Sequence, residues 1–366
     1  MKKKILVIDD EEPVRKLMRR ILLKAEYEVM LSSDGEDGIQ KLKSFAPDLI
    51  MVDMNMPKMN GLDFLRYVRD KNITEVPVLM VSGSSDPEQR SESYKLGVYD
   101  FISKPEQIEV MLKRIENGIK ICDMINFTKF IKIELAMAKK LQKYLFPEPE
   151  KKSEKINIYT YTLPLSDIGG DLYDYIFFQD GRMIFFVADV TGHSISAALF
   201  TAIVKMVFRN ALKISDDPGA LLTIMNRELS GNLPIETFVT IFCGMVDPAA
   251  KKLYYANAGH PNPYFLTNGA GDLLEGHNTF LGPIENLTFE TFSRTVKSGE
   301  AVLIYTDGVQ DIMDRSGQKI GKTMISNIMG NSGFSPVRKF EALREDIQNP
   351  DAVMMDDCTL MLVDIL

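Results

Sequence analysis

The first hundred residues repeat one unit, a short apolar run followed by apolar residues at helical spacing. Ile5 to Ile8 leads into Asp9, Asp10, Glu11 and Glu12, after which Val14, Leu17, Met18, Ile21 and Leu22 recur at helical steps. Val29 to Leu31 precedes a helix from about Gly35, Leu49 to Val52 one after Gly61, and Val78 to Val81 one after Pro87. These four alternations, with a fifth strand ahead of Lys104, predict an α/β domain with a doubly wound five-stranded parallel sheet, because right-handed crossovers align the strands and gather functional groups at their carboxyl ends. Asp9 and Asp10 close the first run and Asp53 the third, so this fold brings three carboxylates into one crevice. A lone acid at a strand end is ordinarily only solvated. Three together need a hard divalent cation such as Mg²⁺, which would also shield one carboxylate acting as nucleophile towards a phosphoryl donor. Lys104, after the fifth strand, can pair with the acids or the phosphoryl group, and Ser82, after the fourth, can donate a hydrogen bond to it.

Val7-Ile8-Asp9-Asp10-Glu11, Val52-Asp53-Met54-Asn55-Met56-Pro57, Val81-Ser82-Gly83 and Ser103-Lys104-Pro105 resemble two-component response regulator receiver domains, with every motif in order over residues 1–120. The resemblance implies that Asp53 accepts a phosphoryl group from a sensor histidine kinase or phosphotransfer protein. It also implies that Asp9, Asp10 and the Asn55 carbonyl hold Mg²⁺, that Ser82 and Lys104 read the phosphoryl state, and that the Lys104–Pro105 bond is cis. Phe101 stands where many receivers have tyrosine and takes the place of the aromatic switch. Glu11 and Glu12 read as helix-start charges rather than ligands.

From about Gln107 to Phe146 there is no proline and a single glycine, Gly118, which predicts one long helix or two abutting ones. Ile108, Leu112, Ile115, Ile119 and Cys122 form one heptad-like stripe; Met124, Phe127, Ile131, Glu134, Ala138, Leu141 and Leu145 form another, out of phase with the first. Residues 121–150 are therefore read as a helical linker. A homodimeric coiled coil and packing on the chain's own domains both satisfy the pattern. The run Lys151-Lys152-Ser153-Glu154-Lys155 reads as a solvated turn.

Over residues 151–366 the texture changes to strands such as Ile184 to Val187, Phe238 to Phe242 and Val302 to Tyr305, interrupted by helical stretches at Ala197 to Leu212 and Pro218 to Leu229. That order predicts an α+β domain, an antiparallel β-sandwich flanked by helices. Acids follow strands or glycines at Ile168-Gly169-Gly170-Asp171, Ala188-Asp189-Val190-Thr191-Gly192-His193, Tyr305-Thr306-Asp307-Gly308 and Met355-Asp356-Asp357-Cys358-Thr359. Carboxylates without accompanying cysteines point to two Mn²⁺ or Mg²⁺ ions rather than structural zinc. Such a pair can activate a water for in-line attack on phosphorus.

These motifs, with Ala197-Ala198-Leu199, Ala256-Asn257-Ala258-Gly259-His260-Pro261 and Leu135-Ala136-Met137-Ala138-Lys139-Lys140-Leu141-Gln142, resemble the bacterial stress and sporulation branch of the PPM (protein phosphatase 2C) family over residues 133–366. The resemblance implies metal ligands Asp171, Asp189, the Val190 carbonyl, Asp307 and Asp356, the last favoured over Asp357 by register. It further implies metal-dependent hydrolysis of a phosphoserine or phosphothreonine protein, typically a STAS-type anti-sigma-factor antagonist. Ser194 departs from the branch's usual glycine, and His193 lies four residues after Asp189, where no general acid is assigned; His193 and His260 are read as structural.

The chain carries a formal charge of −8 and three widely spaced cysteines, Cys122, Cys243 and Cys358. The acidic balance and the lack of a compact basic helix-turn-helix segment argue against direct nucleic-acid binding. The cysteines suit a reducing, cytoplasmic setting, and no apolar run reaches the ~20 residues needed to span a membrane. Two functions remain: a phosphatase governed by phosphorylation of Asp53, or a catalytically silent adaptor that binds a regulator when Asp53 is phosphorylated.

Overall fold

The computed structural model describes residues 2–83, 87–192, 195–232, 234, 236–267, 271–276 and 279–366. It divides into two compact units, Met1–Glu134 and Leu135–Leu366.

The first unit alternates β1 (Lys4–Ile8), α1 (Glu12–Lys24), β2 (Glu28–Ser32), α2 (Gly35–Phe45), β3 (Leu49–Asp53), α3 (Gly61–Asp70), β4 (Val78–Ser82), α4 (Pro87–Lys95) and β5 (Asp100–Ser103), and then enters α5 (Ile108–Lys143). The strands form one sheet in the order β2-β1-β3-β4-β5, parallel throughout, as the alternation predicts. β3 and β4 are buried along their whole length, which explains their uninterrupted apolar runs: helices cover both faces. Ile50, Val52, Phe64 and Met80 pack on one side, and Ile5, Leu49, Leu79 and Ile115 on the other. Side-chain caps fix the helix starts, Asp34 accepting from the Asp37 amide and Asn60 from the Asp63 amide. α5 is a single helix of 36 residues, and the division between units falls inside it, within the segment expected as a linker.

The second unit contains β6 (Glu150–Lys152), β7 (Ile156–Leu163), β8 (Asp171–Phe177), β9 (Met183–Val190), α6 (Ile195–Ala211), α7 (Pro218–Leu229), β10 (Val239–Asp247), β11 (Lys252–Ala258), β12 (Tyr264–Leu266), β13 (Gly271–Leu273), β14 (Phe292–Thr295), β15 (Ala301–Tyr305), α8 (Asp307–Gln310), α9 (Gly321–Gly330), α10 (Pro336–Ile347) and β16 (Cys358–Ile365). Two antiparallel sheets, β14-β11-β10-β9-β8 and β13-β12-β15-β16-β7-β6, face one another. Tyr173, Phe185, Val187, Phe242, Val302, Ile304, Met361 and Val363 fill the space between them. Alternate residues on the first sheet, such as Leu172, Phe186 and Ile241, meet α6 and α7 through Phe208, Leu222 and Met225. On the outer face of the second sheet, Leu303 and Leu362 pack against Phe340 and Leu343 of α10. One local expectation needs correcting: Lys151 and Lys152 belong to β6, an exposed edge strand paired with β7, and the chain turns only over residues 153–155. Lysines on an edge are tolerated because one face and one side of the strand stay in water.

Candidate metal and phosphoryl sites

In the first unit the carboxyl ends of β1 and β3 bring Asp9, Asp10 and Asp53 together, with one carboxylate oxygen of each within 4.8 Å of the others. Asp9 and Asp53 are buried, whereas Asp10 is exposed. Lys104 Nζ bridges the two buried acids, at 3.0 Å from Asp9 Oδ2 and 3.2 Å from Asp53 Oδ2. Burial raises the Asp53 carboxyl above its usual range, against the pull of Lys104. Burial alone would lower Lys104, but Asp9 and Asp53 outweigh it and hold the ammonium charged. Asp9 is oriented by the Glu11 amide, which donates to its Oδ1 at 2.9 Å. Ser82 is buried at the end of β4, and Asn55 is exposed after β3. Phe101 is buried, with its ring edge-on to Tyr94 at 5.3 Å and the Arg90 guanidinium 4.8 Å from its centre. The Lys104–Pro105 bond is cis.

In the second unit four acids lie at the ends of paired strands, but among the described residues no three of them have carboxylate oxygens within 4.8 Å of one another. Asp171 opens β8 and pairs directly with Asp189 near the end of β9. Asp307 follows β15, and Asp356 and Asp357 precede β16, the partner of β15. Thr306 joins the two sheets: its hydroxyl donates to Asp171 Oδ2 at 2.8 Å and accepts from the Thr359 amide at 2.9 Å. Asp171 is 2 % exposed, and burial, then Asp189, push its carboxyl well above the usual range. Asp189 is pushed up to about 8 by burial and by Asp307, Asp356 and Asp357. Asp307, whose tip reaches solvent, is raised by desolvation and by Asp356. Among the described residues no lysine or arginine offsets these acids. Such a nest repels itself, and a donor set made only of carboxylate and carbonyl oxygen fits hard divalent cations.

The two adjacent aspartates at the start of β16 have different partners. Asp357 is buried, and both of its oxygens are taken by main-chain amides, Oδ1 by Leu165 at 2.7 Å and Oδ2 by Gly170 at 2.6 Å. Asp356 is half-buried, and the interaction its carboxylate makes is with the Asp357 amide, at 2.8 Å. Asp357 therefore shapes the loop before Asp171, whereas Asp356 is bonded to the Asp357 amide. Two glycines permit this crowding: a Cβ on Gly170 would lie 2.5 Å from the Val190 carbonyl oxygen, and one on Gly308 2.0 Å from that of Asp357.

His260 is fully buried, with Nδ1 3.1 Å from Thr240 Oγ1 and its amide donating to Asn257 Oδ1. Burial drops it to about 3, so it is neutral. It lines, with Thr240, Gly259, Pro261 and Asn262, a cavity of about 240 Å³ that reaches Asp307. His193 and Ser194 lie outside the described residues. Sequence reasoning missed Asp174, which is fully buried on β8, is bonded by Arg209 through Nε at 2.9 Å and Nη2 at 2.7 Å, and lies 3.3 Å from Lys205. An acid in the middle of an apolar strand was its signal, and i, i+4 cations on the facing helix were its partners.

Comparison with known proteins agrees with both units. The family described as response regulator receiver domain matches residues 5–116, and that described as stage II sporulation protein E (SpoIIE) matches residues 179–366. The alkaline phosphatase synthesis transcriptional regulatory protein PhoP of Bacillus subtilis is 31% identical over 133 residues, 34% of this chain and 55% of that protein. The phosphoserine phosphatase RsbP of the same organism is 30% identical over 185 residues, 49% of this chain and 46% of that protein. The chain thus covers about half the length of these relatives. The SiaA-PP2C domain of Pseudomonas aeruginosa shares the fold, with a TM-score of 0.54 at 20% identity, over 65% of this chain and 98% of that one. The chain belongs to the stage II sporulation protein E (SpoIIE) family and carries a match to the response regulator receiver domain ahead of it.

Proposed function

We propose that this chain is a cytoplasmic response regulator whose output is metal-dependent dephosphorylation of a phosphoserine or phosphothreonine protein, a STAS-type anti-sigma-factor antagonist, and that phosphorylation of Asp53 by a sensor histidine kinase or phosphotransfer protein switches this output on. What supports the reading is the electrostatic influence among Asp171, Asp189, Asp307 and Asp356, which raises the carboxyls of Asp171, Asp189 and Asp307 without a lysine or arginine to offset them. Divalent cations held by these carboxylates and the Val190 carbonyl would neutralise a phosphoryl group and acidify the attacking water. Thr306 fixes Asp171, Asp357 fixes the loop before it, and the cavity beside Asp307 offers room for the phosphorylated side chain. An adaptor that only binds has no need of such a nest.

In the receiver, Lys104 lies between Asp9 and Asp53, where its ammonium can hold an incoming phosphoryl oxygen. Mg²⁺ at Asp9, Asp10 and the Asn55 carbonyl would supply the remaining charge. Ser82 and Phe101 serve as the switch pair. Among the described residues no helix is long and apolar enough to cross a membrane. Exposed Met124, Phe127, Ile131 and Leu141 along α5 support dimerisation through that helix.

The test is release of phosphate from p-nitrophenyl phosphate and from a phosphoserine protein in Mn²⁺. Turnover lost in Asp189→Ala and Asp307→Ala supports the enzyme, whereas metal-independent turnover, or none in any state, contradicts it.

A further inference from the structure

The loop Leu165–Gly170, which delivers Asp171, is gripped from two sides. On one side stands Asp357, which accepts from the amides of Leu165 and Gly170. On the other stands the last part of α5. Gln142 Nε2 donates to the Gly169 carbonyl at 2.7 Å, and its Oε1 accepts from the Gly169 amide at 3.3 Å, so a single carboxamide satisfies both main-chain groups of one residue. One turn earlier, Lys139 pairs with Asp167 of the same loop at 3.7 Å. Just beyond the helix, the Leu145 carbonyl accepts from Lys205 on α6, the same lysine that pairs with buried Asp174 of β8.

The Gln142 contact is specific in a way the others are not. Gly169 is buried, so its N–H and C=O have no access to water and need protein partners. A side chain that meets both can be replaced neither by a longer cation nor by an apolar residue. Two residues on, Asp171 is held through one oxygen by Thr306, and its main chain follows wherever Gly169 and Gly170 are placed. Small displacements there matter, since partners standing behind a ligand set its orientation and with it the affinity for a cation.

We propose that Gln142 is a positioning residue for the cation site of the phosphatase domain: its carboxamide fixes Gly169, and through it Asp171, so that the last turn of α5 sets how tightly divalent cations are held. This rests on the assignment of Asp171 as a ligand under the proposed function. It goes beyond that assignment by giving a residue outside the sandwich control over metal affinity. Lys139, whose ion pair is exposed and long, contributes little.

The experiment measures Mn²⁺ binding to the full chain by titration calorimetry, with Asp189→Asn defining the receiver's share of the signal, alongside the Mn²⁺ dependence of p-nitrophenyl phosphate hydrolysis. Gln142→Met keeps the length and removes the amide. Its Mn²⁺ affinity at the second site falls roughly 10- to 100-fold, saturating Mn²⁺ restores turnover to near the wild-type level, and Lys139→Ala leaves both readings unchanged. Circular dichroism of the metal-free proteins reports folding, and Gln142→Asn, with an amide too short to reach, repeats the test should Gln142→Met unfold. Wild-type Mn²⁺ affinity in a folded Gln142→Met or Gln142→Asn protein overturns the proposal. If the wild type binds Mn²⁺ at the second site but hydrolyses no ester, the phosphatase reading fails while calorimetry still decides the role of Gln142.

Discussion

Asp171 and Asp189 stand directly opposite one another on adjacent antiparallel strands, with their side chains on the same face, towards the gap between the two sheets. Like charges in that register are destabilising. The fold keeps them because a proton or a cation separates them, and this gives the metal-free protein an unusual dependence on pH.

In chelator, Asp189 holds its proton up to about 8 in the folded state, far above the ordinary carboxylate value it has when unfolded. The folded form therefore binds more protons than the unfolded one across the interval between. The resulting stabilisation is complete below the unfolded value and is lost as pH rises through about 8. Asp171 is shifted in the same direction and adds to the slope. The thermal midpoint of chelated wild-type protein should fall, on the order of 5 °C, between pH 6 and 9. Asp189→Asn should flatten that slope and Mn²⁺ should reverse it; a midpoint rising over this range would contradict the assignment.

Asp356 and Asp357 are adjacent in sequence but should separate cleanly by mutation. Asp357→Ala removes a buried acceptor from the amides of Leu165 and Gly170, two hydrogen bonds to a charged group worth about 1.5–3 kcal/mol each. Urea unfolding should show a loss of a few kcal/mol. Asp356→Ala should leave the unfolding midpoint nearly unchanged while abolishing Mn²⁺-dependent turnover. The reverse pattern would exchange their roles.

The Asp174 group tests a buried charge on the same strand as Asp171 but outside the acid cluster. Asp174 is fully buried, and its charge is matched by Arg209 and Lys205. Asp174→Ala leaves Lys205 half-buried without that carboxylate and should cost about 3–5 kcal/mol in chemical denaturation. An effect under about 1 kcal/mol would show that the cations reach water freely.

Much of this was legible before the fold. The acids at Asp9, Asp10 and Asp53 could be read because each ends a strand in a parallel sheet, where position along the chain fixes position in space. The Asp171, Asp189, Asp307 and Asp356 motifs were visible as acids beside glycines, yet their meeting depends on which strands pair, and β8 with β9 and β15 with β16 are pairings that no local pattern specifies. The division of labour between Asp356 and Asp357 needed the loop at Leu165–Gly170, which is nearly 190 residues distant in sequence. Gln142 entered only as the last residue of the Leu135–Gln142 motif and without a role, because its partner is main chain and leaves no trace in side-chain chemistry. Lys151 and Lys152 misled because charge was read as a turn, although an edge strand accommodates it equally well.

Whether phosphorylation at Asp53 governs a metal-dependent hydrolase in the same chain is decided by the rate of p-nitrophenyl phosphate hydrolysis in Mn²⁺, with and without beryllofluoride, in wild type and in Asp53→Asn. The wild-type rate should rise at least several-fold with beryllofluoride, the Asp53→Asn rate should not respond, and neither protein should turn over once Mn²⁺ is chelated. Equal stimulation of wild type and Asp53→Asn, or hydrolysis that survives chelation, would contradict that control.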